Sequence, residues 1–140
     1  MASVRSLASA EGERPGGLGP AELADISWRL SCQIVEMTSR AGSGHPSSSL
    51  SAIDLLTALY CGGFVRHDPE RPDWPERDRF ILSKGHAAPG LYVVLAEAGY
   101  WARDLLFSLR ELGSPLEGHP NRRVLPGVEA STGSLGQGLS

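Results

Sequence analysis

Four histidines occur in 140 residues, and two of them stand in the same tripeptide, Gly-His-Pro: His45 in AGSGHPSSSL and His119 in PLEGHPNRR. Glycine admits backbone angles closed to other residues, while proline fixes its own φ and pushes the residue before it towards extended geometry. A histidine held between them is stiff, and an imidazole so held can exchange hydrogen bonds and protons near neutral pH. Taken singly, either unit reads as readily as a plain turn, because glycine and proline build turns everywhere. A third histidine, His86, lies in LSKGHAAPG beside Lys84, the only lysine in a chain with twelve arginines. A compact cation and free N–H groups at a strand-to-helix turn suit an anion. STGSLGQG then sets Gly133, Gly136 and Gly138 behind two hydroxyls. Such a loop can approach a ligand closely and offer backbone donors, although its spacing is neither a Walker A loop nor GxGxxG. The fourth histidine, His67, opens the charged run HDPERPDWPERD and is expected to be solvated and without chemistry.

The elements that must position these residues follow from periodicity and punctuation. Residues 1–19, rich in Gly, Ser, Ala, Glu and Pro, read as a disordered lead-in, and 20–140 as one domain. Leu23, Ile26, Leu30, Ile34 and Met37 recur at helical spacing, which predicts an amphipathic helix of about 20 residues that stops at Gly42 and Gly44. A second helix is expected after Pro46, capped by one of Ser47 to Ser49 and carrying Leu50, Ile53, Leu56 and Leu59 to Gly62. Pro46 at its first position leaves His45 just outside the N-terminus. RFILS (79–83) and VEAS (128–131) suit short buried strands, LYVVLAEAG a helix, RDLLFSLREL (103–112) a shorter helix ended by Gly113, and TGSLGQGLS a turn opening a further helix. Helices alternating with short apolar runs predict an α/β class with a parallel sheet flanked by helices, in which ligands gather beyond the carboxyl ends of strands. SKGHA and STGSLGQG both fall there.

Composition narrows the function. Thirteen basic against sixteen acidic residues give a net charge of −3, with the positive charges dispersed, which argues against nucleic acid and anionic membranes. The apolar runs are too short to span a bilayer, and the N-terminus has no signal-like apolar core. Cys32 and Cys61 show no metal-ligand spacing and read as free buried thiols in a reducing cytoplasm.

Together the segments AGSGHPSSSLSAIDLLTALY, DPERPDWPERDRFILSKGHAAPGLYVVLAEAGYW and LGSPLEGHPNRRVLPGVEASTGSLGQGLS resemble the transketolase family, particularly the N-terminal subunit of its split members, over about residues 21–140. The resemblance implies a thiamin diphosphate enzyme moving a two-carbon ketol unit from a ketose phosphate to an aldose phosphate, with the cofactor supplying the electron sink. It implies that His45 contacts the sugar and assists proton transfer, that His119 lies near the cofactor and the hydroxyl of the transferred fragment, that His86 stands beside the diphosphate, and that Gly133, Ser134 and Leu135 line the cofactor, with Lys84 adding charge. It also implies a C-terminal partner subunit and a dimer of such pairs.

Two departures accompany the likeness. The family commonly has proline where Ser134 stands, and an acidic residue where Asn121 follows the second Gly-His-Pro. The family's magnesium site, a Gly-Asp-Gly motif with a later asparagine, has no counterpart: no Asp-Gly pair occurs and Asn121 is the only asparagine. The chain stops at Leu139-Ser140, where a helix is due, so the resemblance implies a truncated or further-split enzyme, inactive alone. Dihydroxyacetone synthase, 1-deoxyxylulose-5-phosphate synthase and a non-catalytic remnant or interaction module stay open as alternatives.

Overall fold

Proline at the first position and a glutamate side chain turned back on the preceding residue start the longest helix. In the computed structural model, which describes residues 17–135, α1 runs Pro20–Ala41, and the Gly19 N–H donates to Glu22 Oε2 at 3.0 Å. It buries Ser27, Leu30, Ile34, Met37 and Thr38, close to the stripe predicted from sequence. Gly42, at φ +57°, ends it by donating to Ser39 O, while Ser43 N–H reaches Thr38 O.

The second predicted helix is split. α2 is Pro46–Leu50 and α3 is Ile53–Cys61, separated by a serine turn in which Ser51 N–H and Ala52 N–H bond back to Ser47 O and Ser49 O, and Ser51 Oγ to Ser48 O. A hydroxyl that bonds a local carbonyl competes with a continuous helix, and Ser51 Oγ does so at this break. The N-cap is His45 with no side-chain bond, not a serine. Leu50 is consequently exposed, whereas Ile53 and Leu56 are buried.

α4, Ala88–Glu97, is buried at all ten residues and packs on α1, α2 and α3. A helix apolar all round belongs in a core. Arg103–Ser108 is a 3-10 segment, shorter than the helix expected to Gly113, because the backbone turns extended at Leu109 and left-handed at Arg110. Leu106, Leu109 and Leu116 then point into the core.

No strand occurs among the described residues. Residues 79–82 and 128–131 lack regular structure, and just past the second of them Thr132 Oγ1 donates to Leu82 O at 2.7 Å. A strand requires a neighbouring backbone to pair its N–H and C=O groups, and neither segment has one here. The run 64–78 is irregular as expected, pinned by Arg66 to Asp78 and by Arg71 to Asp68. Arg79 reaches Glu129, as does Arg77.

His67 corrects its expectation. It is half-buried between Tyr60 and Tyr100, with ring centroids at 5.3 and 5.9 Å, and burial lowers its pKa. Cys32 is exposed instead of buried, while burial pushes the half-buried Cys61 thiol up to about 11; both are free. An open groove of about 520 Å³ lined by Trp28, Cys32, Val35 and Leu50 borders α1, and none of the histidines lines it. Among the described residues no helix is long and apolar enough to cross a membrane. The expected lead-in up to Gly16 and the helix expected after Leu135, with Gly136 and Gly138, lie outside the described residues.

Candidate functional site

Three turns from distant parts of the chain bring three histidines together. His45 and His86 meet edge to face with centroids 5.0 Å apart, and His86 meets His119 in the same way at 4.6 Å. His86 is therefore the middle ring, and the two Gly-His-Pro units stand on either side of it.

Each turn has a local cause. His45 is the residue just outside α2, at φ −123° and ψ 75° ahead of Pro46, outside the helical region. The loop reaches it through Gly44 at φ +128°, where a Cβ would come within 2.9 Å of Thr38 Cγ2. His86 is the centre of the 3-10 turn Gly85–Ala87 that leads into α4. Gly85 is buried against the glycine-rich segment, and a Cβ there would stand 2.6 Å from Thr132 O. His119 is held by the second Gly-His-Pro, whose loop hangs from the core: the Tyr92 hydroxyl donates to Glu117 O at 2.9 Å and to His119 O at 3.1 Å. Gly133, at φ +125°, touches the His119 ring so closely that a Cβ would stand 2.8 Å from Cγ.

His119 Nε2 is buried without a hydrogen-bond partner. Burial lowers its pKa, and His86, Arg110 and His45 lower it further, so the ring is neutral near pH 7. A neutral imidazole with an unpartnered nitrogen is equipped to take or give one proton or one hydrogen bond to a ligand.

The other residues singled out from sequence are placed less centrally. Ser134 and Leu135 follow Gly133 and are exposed, Leu135 at 86%. Lys84 is exposed, its Nζ donating to Ser51 Oγ at 3.1 Å and thereby joining the His86 turn to the end of α2. Asn121 donates to Glu117 Oε1 and accepts from Arg123 N–H, a local structural role. Sequence reasoning missed Tyr92, hidden in an apolar helix, and Arg110, which bonds Ser43 and faces Gly118. A tyrosine amid LYVVLA was the available signal, since a buried hydroxyl needs a partner; for Arg110 no sequence signal existed.

Residues 22–140 match the family described as Transketolase, thiamine diphosphate binding domain. The chain is 45% identical to human transketolase over 117 residues, 84% of this chain and 18% of that protein. It is also 45% identical over 106 residues to the 6-deoxy-6-sulfo-D-fructose transketolase subunit SqwG of Clostridium sp. (strain MSTE9), 76% of this chain and 38% of that one. Among solved structures, transketolase from Leishmania mexicana superposes with a TM-score of 0.79 at 35% identity, over 84% of this chain and 18% of that chain. That likeness is consistent with an α/β thiamin diphosphate-binding fold. The chain thus spans well under half the length of these relatives, and within that span it belongs to the transketolase family, in its thiamin diphosphate-binding domain.

Proposed function

We propose that this chain supplies the histidine-lined wall of a transketolase site and, with the parts of the enzyme it does not span, transfers a two-carbon ketol unit from a ketose phosphate to an aldose phosphate. The observation that carries the reading is the edge-to-face series His45, His86, His119, ending in a buried imidazole nitrogen with no partner. In this reading His45, the most exposed of the three, meets the sugar hydroxyls and moves a proton there. His119 serves the cofactor side and the hydroxyl of the transferred fragment, and His86 the diphosphate.

The residues present fit thiamin diphosphate on one side. The orphaned His119 Nε2 and the bare backbone at Gly133 offer it one side-chain and several main-chain contacts, continued by Ser134 and Leu135. When bound, the cofactor supplies the electron sink for the carbanion-like fragment. Magnesium does not fit in the same way: among the described residues no group of three or more His, Cys, Asp or Glu side chains is arranged to hold a metal ion. We therefore assign the metal ligands to the length of the relatives that this chain does not cover, and route no step through the metal. The parallel sheet belongs to the same assignment, since 79–82 and 128–131 would gain ladder partners from that length. A C-terminal subunit is the natural partner, in keeping with the subunit named in the clostridial relative, and a dimer of such pairs the natural assembly. Two unpaired cysteines support a cytoplasmic setting.

Two measurements test the reading. Calorimetric titration of thiamin diphosphate and magnesium into the isolated chain should show no binding at low micromolar concentration; tight binding would contradict the division of labour. In enzyme reconstituted with a C-terminal subunit, His45→Ala should lower turnover on a ketose phosphate by about 100-fold, and unchanged turnover would remove its role.

A further inference from the structure

Arg110 is the only non-glycine residue with a positive φ among the described residues, at +62°, a conformation that side chains other than glycine rarely adopt. Its surroundings over-determine it. The backbone N–H donates to Leu116 O at 2.9 Å, and its neighbour Leu109 is buried in the core. Its side chain lies between the two histidine loops. Nη1 donates to Ser43 Oγ at 2.6 Å, two residues before His45, and the guanidinium lies against Gly118, one residue before His119, where a Cβ would stand 2.7 Å from Cζ and Nε. Among the described residues no ion pair engages it. A planar fork with donors at several edges suits the bridging of two loops better than a single ammonium would. Backbone strain kept at a residue whose side chain touches both loops points to a purpose beyond the turn itself.

We propose that Arg110 is a positioning residue that clasps the two Gly-His-Pro loops to each other and so sets where His45 and His119 stand relative to His86. The proposal rests on the histidine cluster being the working site, but its test does not. Arg110→Gly relieves the left-handed backbone and deletes the clasp; Arg110→Lys keeps the charge and loses the fork. Gly118→Ala leaves Arg110 in place and pushes its guanidinium out of the loop, which keeps the proposal testable should the first variant unfold.

With only four histidines in the chain, ring signals in labelled protein can be followed singly by NMR. Contacts between the His45 and His86 rings and between the His86 and His119 rings should weaken in all three variants, while Arg110→Gly melts no lower than the parent. The His119 titration midpoint should rise in Arg110→Gly, since His86, His45 and Arg110 are the charged or titrating groups that depress it alongside burial. The double variant Arg110→Gly with Gly118→Ala should show no further change in the ring contacts. Unaltered ring contacts in Arg110→Gly, or effects of the two substitutions that simply add, would overturn the clasp. In reconstituted enzyme Arg110→Gly should lower kcat by tenfold or more with KM little changed. If His45→Ala leaves turnover intact while Arg110→Gly still loosens the rings, the site reading fails and the clasp stands; the opposite pattern removes the clasp alone.

Discussion

The His86 and His119 rings stand at 90° to each other with 4.6 Å between centroids, so that each imidazole is part of the other's solvent. The pKa of His119 lies below its ordinary value, first through burial and next through His86. Replacing His86 with phenylalanine keeps a ring in place but removes the neighbouring charge, so the His119 titration midpoint followed by NMR should rise. A midpoint that does not move would show that the two rings are merely adjacent.

Acid should destabilise the chain through His67. Its folded pKa is lowered by burial, against smaller opposing effects of the Tyr60 carbonyl and Asp68, so its contribution is intact above the unfolded value of about 6.5 and is lost as pH falls through the folded one. The urea midpoint should therefore decline on acidification below about pH 6.5. His67→Phe should flatten that decline without abolishing it, because His119 is shifted in the same direction. A slope unchanged by the substitution would exclude His67 as its source.

Glycine 133 and glycine 42 both have positive φ, yet they should respond differently to alanine. At Gly42 nothing lies within 4 Å of a Cβ, so Gly42→Ala should cost only the backbone strain, about 1 kcal/mol. At Gly133 the new carbon also meets the His119 ring, and about 2–3 kcal/mol is expected, together with a displaced His119 signal. Equal losses by chemical denaturation would argue against the close ring contact.

Glu97 ties α1 and the 103–108 segment to the end of α4. Its carboxylate, 6% exposed, accepts from Arg29 at 2.8 and 3.0 Å and from Arg103 at 2.5 Å. Burial pushes its pKa up, but the two arginines outweigh burial and leave it below the usual value. Stability from this group is thus present above the unfolded carboxylate value and lost as pH falls through the lowered one. Glu97→Ala should cost about 2–3 kcal/mol through the charged hydrogen bonds it removes, whereas Arg103→Ala, at a half-exposed partner, should cost about 0.5 kcal/mol. Thermal unfolding of both variants checks the difference.

What could be read from the sequence was whatever depended on near neighbours. The stripe Leu30, Ile34, Met37 needs only a helical period, and the two Gly-His-Pro turns announce themselves through backbone chemistry. The resemblance to the transketolase family then implied roles in one site for His45, His86 and His119, whose rings meet in the structure. The break between α2 and α3 is hidden because Leu50, Ile53 and Leu56 keep helical spacing across it, and Ser47 to Ser49 look like caps although the N-cap is His45 and the hydroxyl bonded at the break is that of Ser51. Runs such as RFILS look like strands from residue type alone, yet strand formation depends on a partner elsewhere. His67 misled for a related reason: its sequence neighbours are charged, while its spatial neighbours are Tyr60 and Tyr100.

The Tyr92 hydroxyl suspends the His119 loop from a helix whose every residue is buried. A segment such as LEGHPNRR moved onto another scaffold would carry its imidazole but not the phenol that hangs it, the bare glycine that accommodates its ring, or the low polarity that keeps it neutral. For anyone assembling a smaller catalyst from these parts, the least transplantable unit includes α4, and shortening the protein to its histidine turns would strip His119 of the burial that lowers its pKa.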